Sequence, residues 1–323
     1  MRITKDISEI KNFLPVIALP DYLKLQSADF GYFVSEKKII IPFAAISRLG
    51  LKWLVLTASP LNSNDINKEK LLVNEIIHYA RKQNYVYITC ANHALFDFYP
   101  QGSRHCVFGT YKVNLELTEK ELFKNLHTKH RNVIRKAEKD GVNILHGKEF
   151  RKECISIIIE TQARQGIKSS FSHFNKLHSL NENIEFWIAK DEENNTQGSA
   201  IFFWNKNHSC YYMYGGSSAS HHTGALNLLQ WKAMLYMKEQ SVKYFDFVGA
   251  RINPPKGSKY EGIQLFKSRF GSTLHKGYLF KIILSPRYYF LNFLLNVNSL
   301  LKYRKRHKGD MIDQEMKRGN VEL

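Results

Sequence analysis

Residues 211–271 constrain the fold more than any other part of this sequence. They open in a tyrosine-rich strand pattern, Cys210-Tyr211-Tyr212-Met213-Tyr214, and run into a Gly/Ser loop over 215–220. A basic step, His221-His222-Thr223-Gly224-Ala225, precedes a helical pattern through Leu226, Leu229, Trp231, Ala233 and Met237. Tyr244-Phe245-Asp246-Phe247-Val248-Gly249 reads as a second strand, followed by a Pro/Gly/Lys loop and Leu265-Phe266-Lys267-Ser268-Arg269-Phe270-Gly271. Strand, Gly/Ser loop, helix start and strand form an anion-receiving layout, because the first amides of a helix lack intrahelical partners and point into the loop. Ser217, Ser218, His221, His222 and Gly224 are therefore the candidate donor- or anion-binding residues. The same order also serves as a plain β-α-β packing unit with a flexible turn.

Four patterns occur here in order: Tyr-Tyr-x-Tyr-Gly-Gly-Ser-Ser from Tyr211, Gly-Ala-x-x-Leu-Leu-Gln-Trp from Gly224, Phe-Asp-Phe-x-Gly from Phe245, and Phe-Lys-x-x-Phe-Gly from Phe266. The series resembles the second half of the Fem peptidyltransferases, and the basic run 129–142 resembles the helix that enters that half. The likeness is weak before Thr110 and good from there to Gly271. It implies an α/β (α+β) chain of two tandem domains like the GCN5-related N-acetyltransferase (GNAT) fold, without the helical-hairpin arm that family members often carry. It also implies transfer of an amino acid from aminoacyl-tRNA to an amine of a peptidoglycan precursor, with no bound cofactor. On this basis residues 1–142 are expected to form the first domain and 143–275 the second. A returning strand and basic helix over 276–310 should pack on the first domain, with a disordered tail over 311–323.

A chain of 323 residues is long enough for about two domains. Lys and Arg number 47 against 29 Asp and Glu, a net charge of +18. That excess favours polyanionic partners: tRNA, a nucleotide- or lipid-linked sugar precursor, or anionic lipid headgroups. Cys90, Cys106, Cys154 and Cys210 are scattered without a CxxC pair or zinc spacing, which argues against a disulfide framework or structural metal. The N-terminus lacks a signal-peptide core, and the uncharged run 288–301 is too short to span a bilayer. The expected location is the cytoplasm, with a peripheral contact at the inner face of the membrane as an option.

Before the second half, strand-like runs at 31–43 and 53–57, a helical period over 66–83 and a strand at 85–90 repeat the strand, strand, helix, strand order. The loop after Cys90 carries Asp97, a candidate proton or hydrogen-bond acceptor, and Tyr99, a candidate acceptor-site wall. Asp97 reads equally as a helix cap. Thr118-x-x-Glu121 is a capping box that opens a helix expected to run to Gly141. Arg131, Arg135, Lys136 and Lys139 fall on its basic side, as a phosphate-contacting face or a solvated one. Beyond Pro286, an apolar helix ends in Lys302-Tyr303-Arg304-Lys305-Arg306-His307-Lys308 and reads as a domain cap or as a membrane-surface element.

Acyl transfer to an amine needs alignment, a sink for the amine's proton and stabilisation of the tetrahedral oxyanion. By similarity to the family's Phe-Lys pair, Phe266 lines the substrate site and Lys267 stabilises the oxyanion. The alternation of strand side chains puts Tyr212 and Tyr214 on one face, where they line a cleft or join the core. Arg251 stands where it could meet a phosphate or carboxylate. No serine or cysteine nucleophile motif and no metal constellation appears, so direct transfer is the simplest route. Two further readings stay open: an acyl-CoA-dependent N-acyltransferase acting on an amino sugar of a surface polysaccharide, and a non-catalytic basic RNA- or membrane-binding module.

Overall fold

Runs of β-branched and aromatic residues separated by turn formers build the first half, in a computed structural model that describes residues 1–7, 14–303 and 309–322. Strand β1 (Arg2–Thr4) is followed by helix α1 (Pro20–Gln26), which starts on a proline whose fixed φ suits a first helical turn. Strands β2 (Asp29–Val34), β3 (Ile40–Arg48) and β4 (Leu51–Leu56) then form an antiparallel meander. The run expected at 31–43 is thus split by a turn. Helix α2 (Ile66–Lys82), capped by the Asp65 carboxylate, crosses over to β5 (Tyr87–Cys90), which pairs parallel to β4.

Strand β6 (Arg104–Asn114) leads into α3 (Glu119–Asn125) and α4 (Thr128–Lys139). The single helix expected here breaks at Leu126 and His127, both extended. The Arg131 guanidinium fills the break, donating to the carbonyls of Lys124 and Leu126 that α3 leaves open.

The second half repeats the plan of the first. Strand β7 (Asn143–His146), helices α5 (Arg151–Arg164) and α6 (Phe171–Asn175), and strands β8 (Ile184–Lys190), β9 (Thr196–Trp204) and β10 (Ser209–Ser217) precede α7 (Ala225–Glu239). Strand β11 (Tyr244–Asp246) then pairs parallel to β10, as β5 does to β4. The chain closes with β12 (Ala250–Arg251), α8 (Lys259–Ser268), β13 (Thr273–Ile283), α9 (Arg287–Tyr303) and α10 (Met311–Lys317).

All strands join one sheet, in the order β1-β2-β3-β4-β5-β13-β6-β11-β10-β9-β8-β7, with β12 beside β6. Each β-α-β unit is followed by a long strand that is given to the other half. Strand β6 lies against β11 of the second half, and β13, the last strand, completes the first half beside β5. A boundary at residue 142 therefore does not follow the packing. Leu122, Ile134 and Ala137 of α3 and α4, with Leu126 between the two helices, share a core with Trp231, Met234 and Phe270 of the second half.

A second core joins the halves: Leu14, Tyr22 and Leu23 pack with Phe174, Phe203 and Tyr211. A third lies under α2 and takes in Ile312 of α10. The 311–323 segment is thus not a disordered tail over its described residues. A capping box from Asp310 and Asp313 starts α10, and its acidic side chains meet basic partners already in place. Glu315, fully buried, pairs with Arg251 at 2.9 Å and Arg318 at 2.6 Å, while Lys281 pairs with Asp310 at 2.6 Å and Asp313 at 3.0 Å. Polarity read as solvation is here the complement of buried cations.

Candidate active site

Lys267 sits in the last turn of α8 and is 8% exposed. Its ammonium donates to the carbonyls of Val248 at 2.5 Å and Gly249 at 2.6 Å, which leaves one of its three N–H groups uncommitted to those acceptors. Burial pushes this lysine down to about 8, and the nearby Asp246 charge opposes the shift only in part.

One of the two carbonyls that hold Lys267 comes from strained backbone. Val248 and Gly249 both have positive φ, at 44° and 70°. A β-branched residue in that region is an outlier that costs about 1–3 kcal/mol and persists only where its surroundings enforce it. Asp246 is the enforcing group, because its carboxylate accepts the Val248 amide at 2.8 Å and the Thr110 hydroxyl. Burial raises the Asp246 carboxyl, against the opposing Lys112 charge.

Phe266 docks this segment on α4. His130 is 4% exposed, its Nε2 lies 3.1 Å from the Phe266 carbonyl, and its ring packs edge-on to Phe270 at 4.6 Å. Burial pushes His130 down to about 4, so it stays neutral near pH 7 and Nε2 carries the proton it donates. The basic helix and the Phe-Lys segment, 136 residues apart in sequence, are thus one packed unit. Thr110, His130, Asp246 and Val248 all support Lys267, and sequence reasoning assigned them no such role.

Strand β10 departs from the expected alternation. A bulge between Tyr212 and Tyr214 turns Met213 and Tyr214 to the core between the halves, while Tyr212 stays on the opposite face against Phe202 and Phe247. The two tyrosines expected on one face therefore line different regions. Tyr214 borders a cavity of about 550 Å³ between the halves, together with Tyr22 and Gln26 of α1, His173, Lys176 and Phe203. Val248, whose carbonyl anchors Lys267, packs against the same core as Tyr22, Phe203 and Tyr214. Lys267 itself is not among the cavity's lining residues. Next to the cavity, Tyr22 hydroxyl lies 3.3 Å from His93 Nε2, and burial pushes His93 down to about 4.

Other candidates are used elsewhere. Asp97 is exposed beside the Phe96–Tyr278 bridge and lies outside the cavity lining. Tyr99, also outside it, stacks on His105 at 3.5 Å and is 40% exposed. Arg251, expected to meet a substrate anion, is held by Glu315 at 2.9 Å and Gln314 at 2.8 Å and lies over the Tyr260 ring.

In the expected anion loop, His222 Nε2 is 2.8 Å from the Asp140 carboxylate, the wrong partner for an anion site. Gly224 has φ of 104°, and a Cβ there would collide with the Val133 carbonyl of α4, so packing requires the glycine. Ser217 is tied to Thr161, Ser218 to Gln197, and His221 to the Ser218 carbonyl. The start of α7 nevertheless has no side-chain cap. On the basic face, Arg131 closes the α3 end, Arg135 lies over Phe123 at 5.1 Å, Lys136 pairs with Asp140, and Lys139 is exposed. No group of metal-ligating side chains occurs among the described residues.

No family model matches the sequence, and no curated protein matches it. Among solved structures, the chain is similar to FemX, with a TM-score of 0.67 at 15% identity over 90% of this chain and 99% of that one. It is also similar to the C-terminal domain of a putative lysylphosphatidylglycerol synthetase from Agrobacterium fabrum, with a TM-score of 0.57 at 13% identity over 91% and 95% of the two chains. A third likeness is to L-PGS from Bacillus licheniformis, with a TM-score of 0.51 at 16% identity over 78% and 83%. The fold is that of FemX, with two halves of like plan on one sheet.

Proposed function

We propose that this chain is a non-ribosomal aminoacyltransferase that forms an amide on an amine of a cell-envelope precursor, with aminoacyl-tRNA as donor. The observation that carries this reading is Lys267: a buried cation, held by two backbone carbonyls of which one belongs to a strained valine, in a chain with the fold of FemX. In the reaction the acceptor nitrogen attacks the ester carbonyl carbon and the carbonyl electrons move onto oxygen. The remaining Lys267 N–H offsets that charge, a contribution of roughly 3 kcal/mol for one well-placed donor. The tetrahedral species then collapses, the ester C–O bond breaks, and the ribose oxygen leaves with the proton lost by nitrogen. No enzyme-bound acyl group is needed.

In this reading the acceptor enters the cavity between the halves. Tyr22, Gln26, His173 and Lys176 offer hydrogen bonds and positive charge to a peptide or sugar there. The net charge of +18 supports a polyanionic donor or a phosphate-bearing acceptor. Purified protein incubated in parallel with labelled aminoacyl-tRNA and labelled acetyl-CoA, each with amine acceptors, tests the proposal. Transfer from the tRNA ester supports it. Consumption of the thioester alone replaces it with an acyl-CoA-dependent N-acyltransferase on an amino sugar.

A further inference from the structure

Helix α9 turns an apolar face outward. At 100° per residue, Tyr288, Leu291 and Leu295 lie on one side. Tyr288 and Leu291 are buried there, with Tyr288 edge-on to Tyr87 of β5. On the other side, Tyr289, Phe290, Phe293, Leu300 and Leu301 fall within an arc of about 120°. They are 63%, 59%, 61%, 46% and 81% exposed. Asn292 and Asn296 border that arc on one flank and Asn298 on the other. A helix packed on a soluble protein normally carries charge on its outer face, so five large exposed side chains in one stripe call for a covering surface.

The charge pattern selects that surface. From Gly262 to Gly309 the sequence contains no aspartate or glutamate. Arg287 stands exposed at the start of the helix, and Lys302, Arg304, Lys305, Arg306 and Lys308 follow the stripe in sequence. Residues 304–308 lie outside the described residues, and only their composition enters the argument. No helix among the described residues is long and apolar enough to cross a membrane. Aromatic and leucine side chains on one face, with cations at both ends, suit a helix lying in the headgroup layer of an anionic bilayer.

We propose that α9 docks this protein on an anionic phospholipid surface, with Phe290, Phe293 and Leu301 inserted and the flanking cations on the headgroups. The inference does not depend on the aminoacyl-transfer reading, because it is tested without substrate. Full-length protein is sedimented with vesicles of phosphatidylglycerol and phosphatidylcholine, and with phosphatidylcholine alone. Binding is expected to the anionic vesicles and to weaken as salt rises. Phe290→Glu with Phe293→Glu should lower that partitioning about tenfold or more. Replacing the five cations of 302–308 by Gln should remove the preference for anionic lipid. Circular dichroism of each variant checks that the fold is retained. Absence of binding to anionic vesicles at low salt overturns the proposal, as does binding that survives both sets of substitutions. A dimer that the two Phe→Glu changes dissociate, with no vesicle binding, overturns it too and assigns the stripe to a second copy of this chain.

Discussion

At the residue scale the proposal turns on one amine and its surroundings. Lys267→Ala should lower turnover roughly 100- to 1,000-fold while leaving acceptor affinity nearly unchanged, measured as kcat and KM separately. The stabilising form is the ammonium, so activity should fall as pH rises through about 8, the value to which burial brings Lys267. Lys267→Gln should remove that descending limb. Stability carries the opposite sign. Between pH 8 and 10.5 the unfolded chain binds more protons at this site than the folded one, so stability rises with pH across that window, and Lys267→Met should flatten the rise in urea titrations. The Phe-Lys pattern brought Lys267 forward from sequence alone. Its supports were not legible, since Thr110 meets Asp246 across 136 residues and His130 meets the Phe266 carbonyl across the same separation.

At the scale of elements, periodicity located α2, α7 and α9 and most strands, but it missed α8, which carries Lys267, and it failed where side chains interrupt the backbone pattern. The bulge in β10 separates Tyr212 from Tyr214, and no composition signal marks it. The α3–α4 break is held by Arg131, a residue that looks solvated on a helical wheel. Arg131→Ala should cost about 1–2 kcal/mol in urea denaturation, from carbonyls left open at the α3 end. Helix α10 was misread because its carboxylates looked like tail residues. Glu315→Ala should destabilise the protein by about 3–5 kcal/mol, since it leaves Arg251 without its buried counter-charge. Burial, the largest influence, would raise the Asp313 carboxyl, but the hydrogen bond and charge of Lys281 together with the Arg104 charge hold it below the usual range. Its contribution is therefore present above the unfolded carboxylate pKa and lost as pH falls. Hydrogen exchange over 311–317 should accelerate in mild acid before the central strands exchange.

At the scale of the whole molecule, two strand–helix–strand repeats could be read from sequence, and so could the likeness to the Fem fold. The pairing between the repeats could not, because strand register across halves leaves no local trace. Strand β13 enters between β5 and β6, and β6 in turn lies beside β11. During synthesis, then, the first repeat emerges from the ribosome with a slot in its middle that stays vacant until residues 273–283 have been made. Two neighbouring edges, β5 and β6, must avoid zipping to each other in the meantime. Nascent chains arrested before residue 273 should be protease-sensitive across 87–114, and release of the final strand should be the step at which that sensitivity disappears.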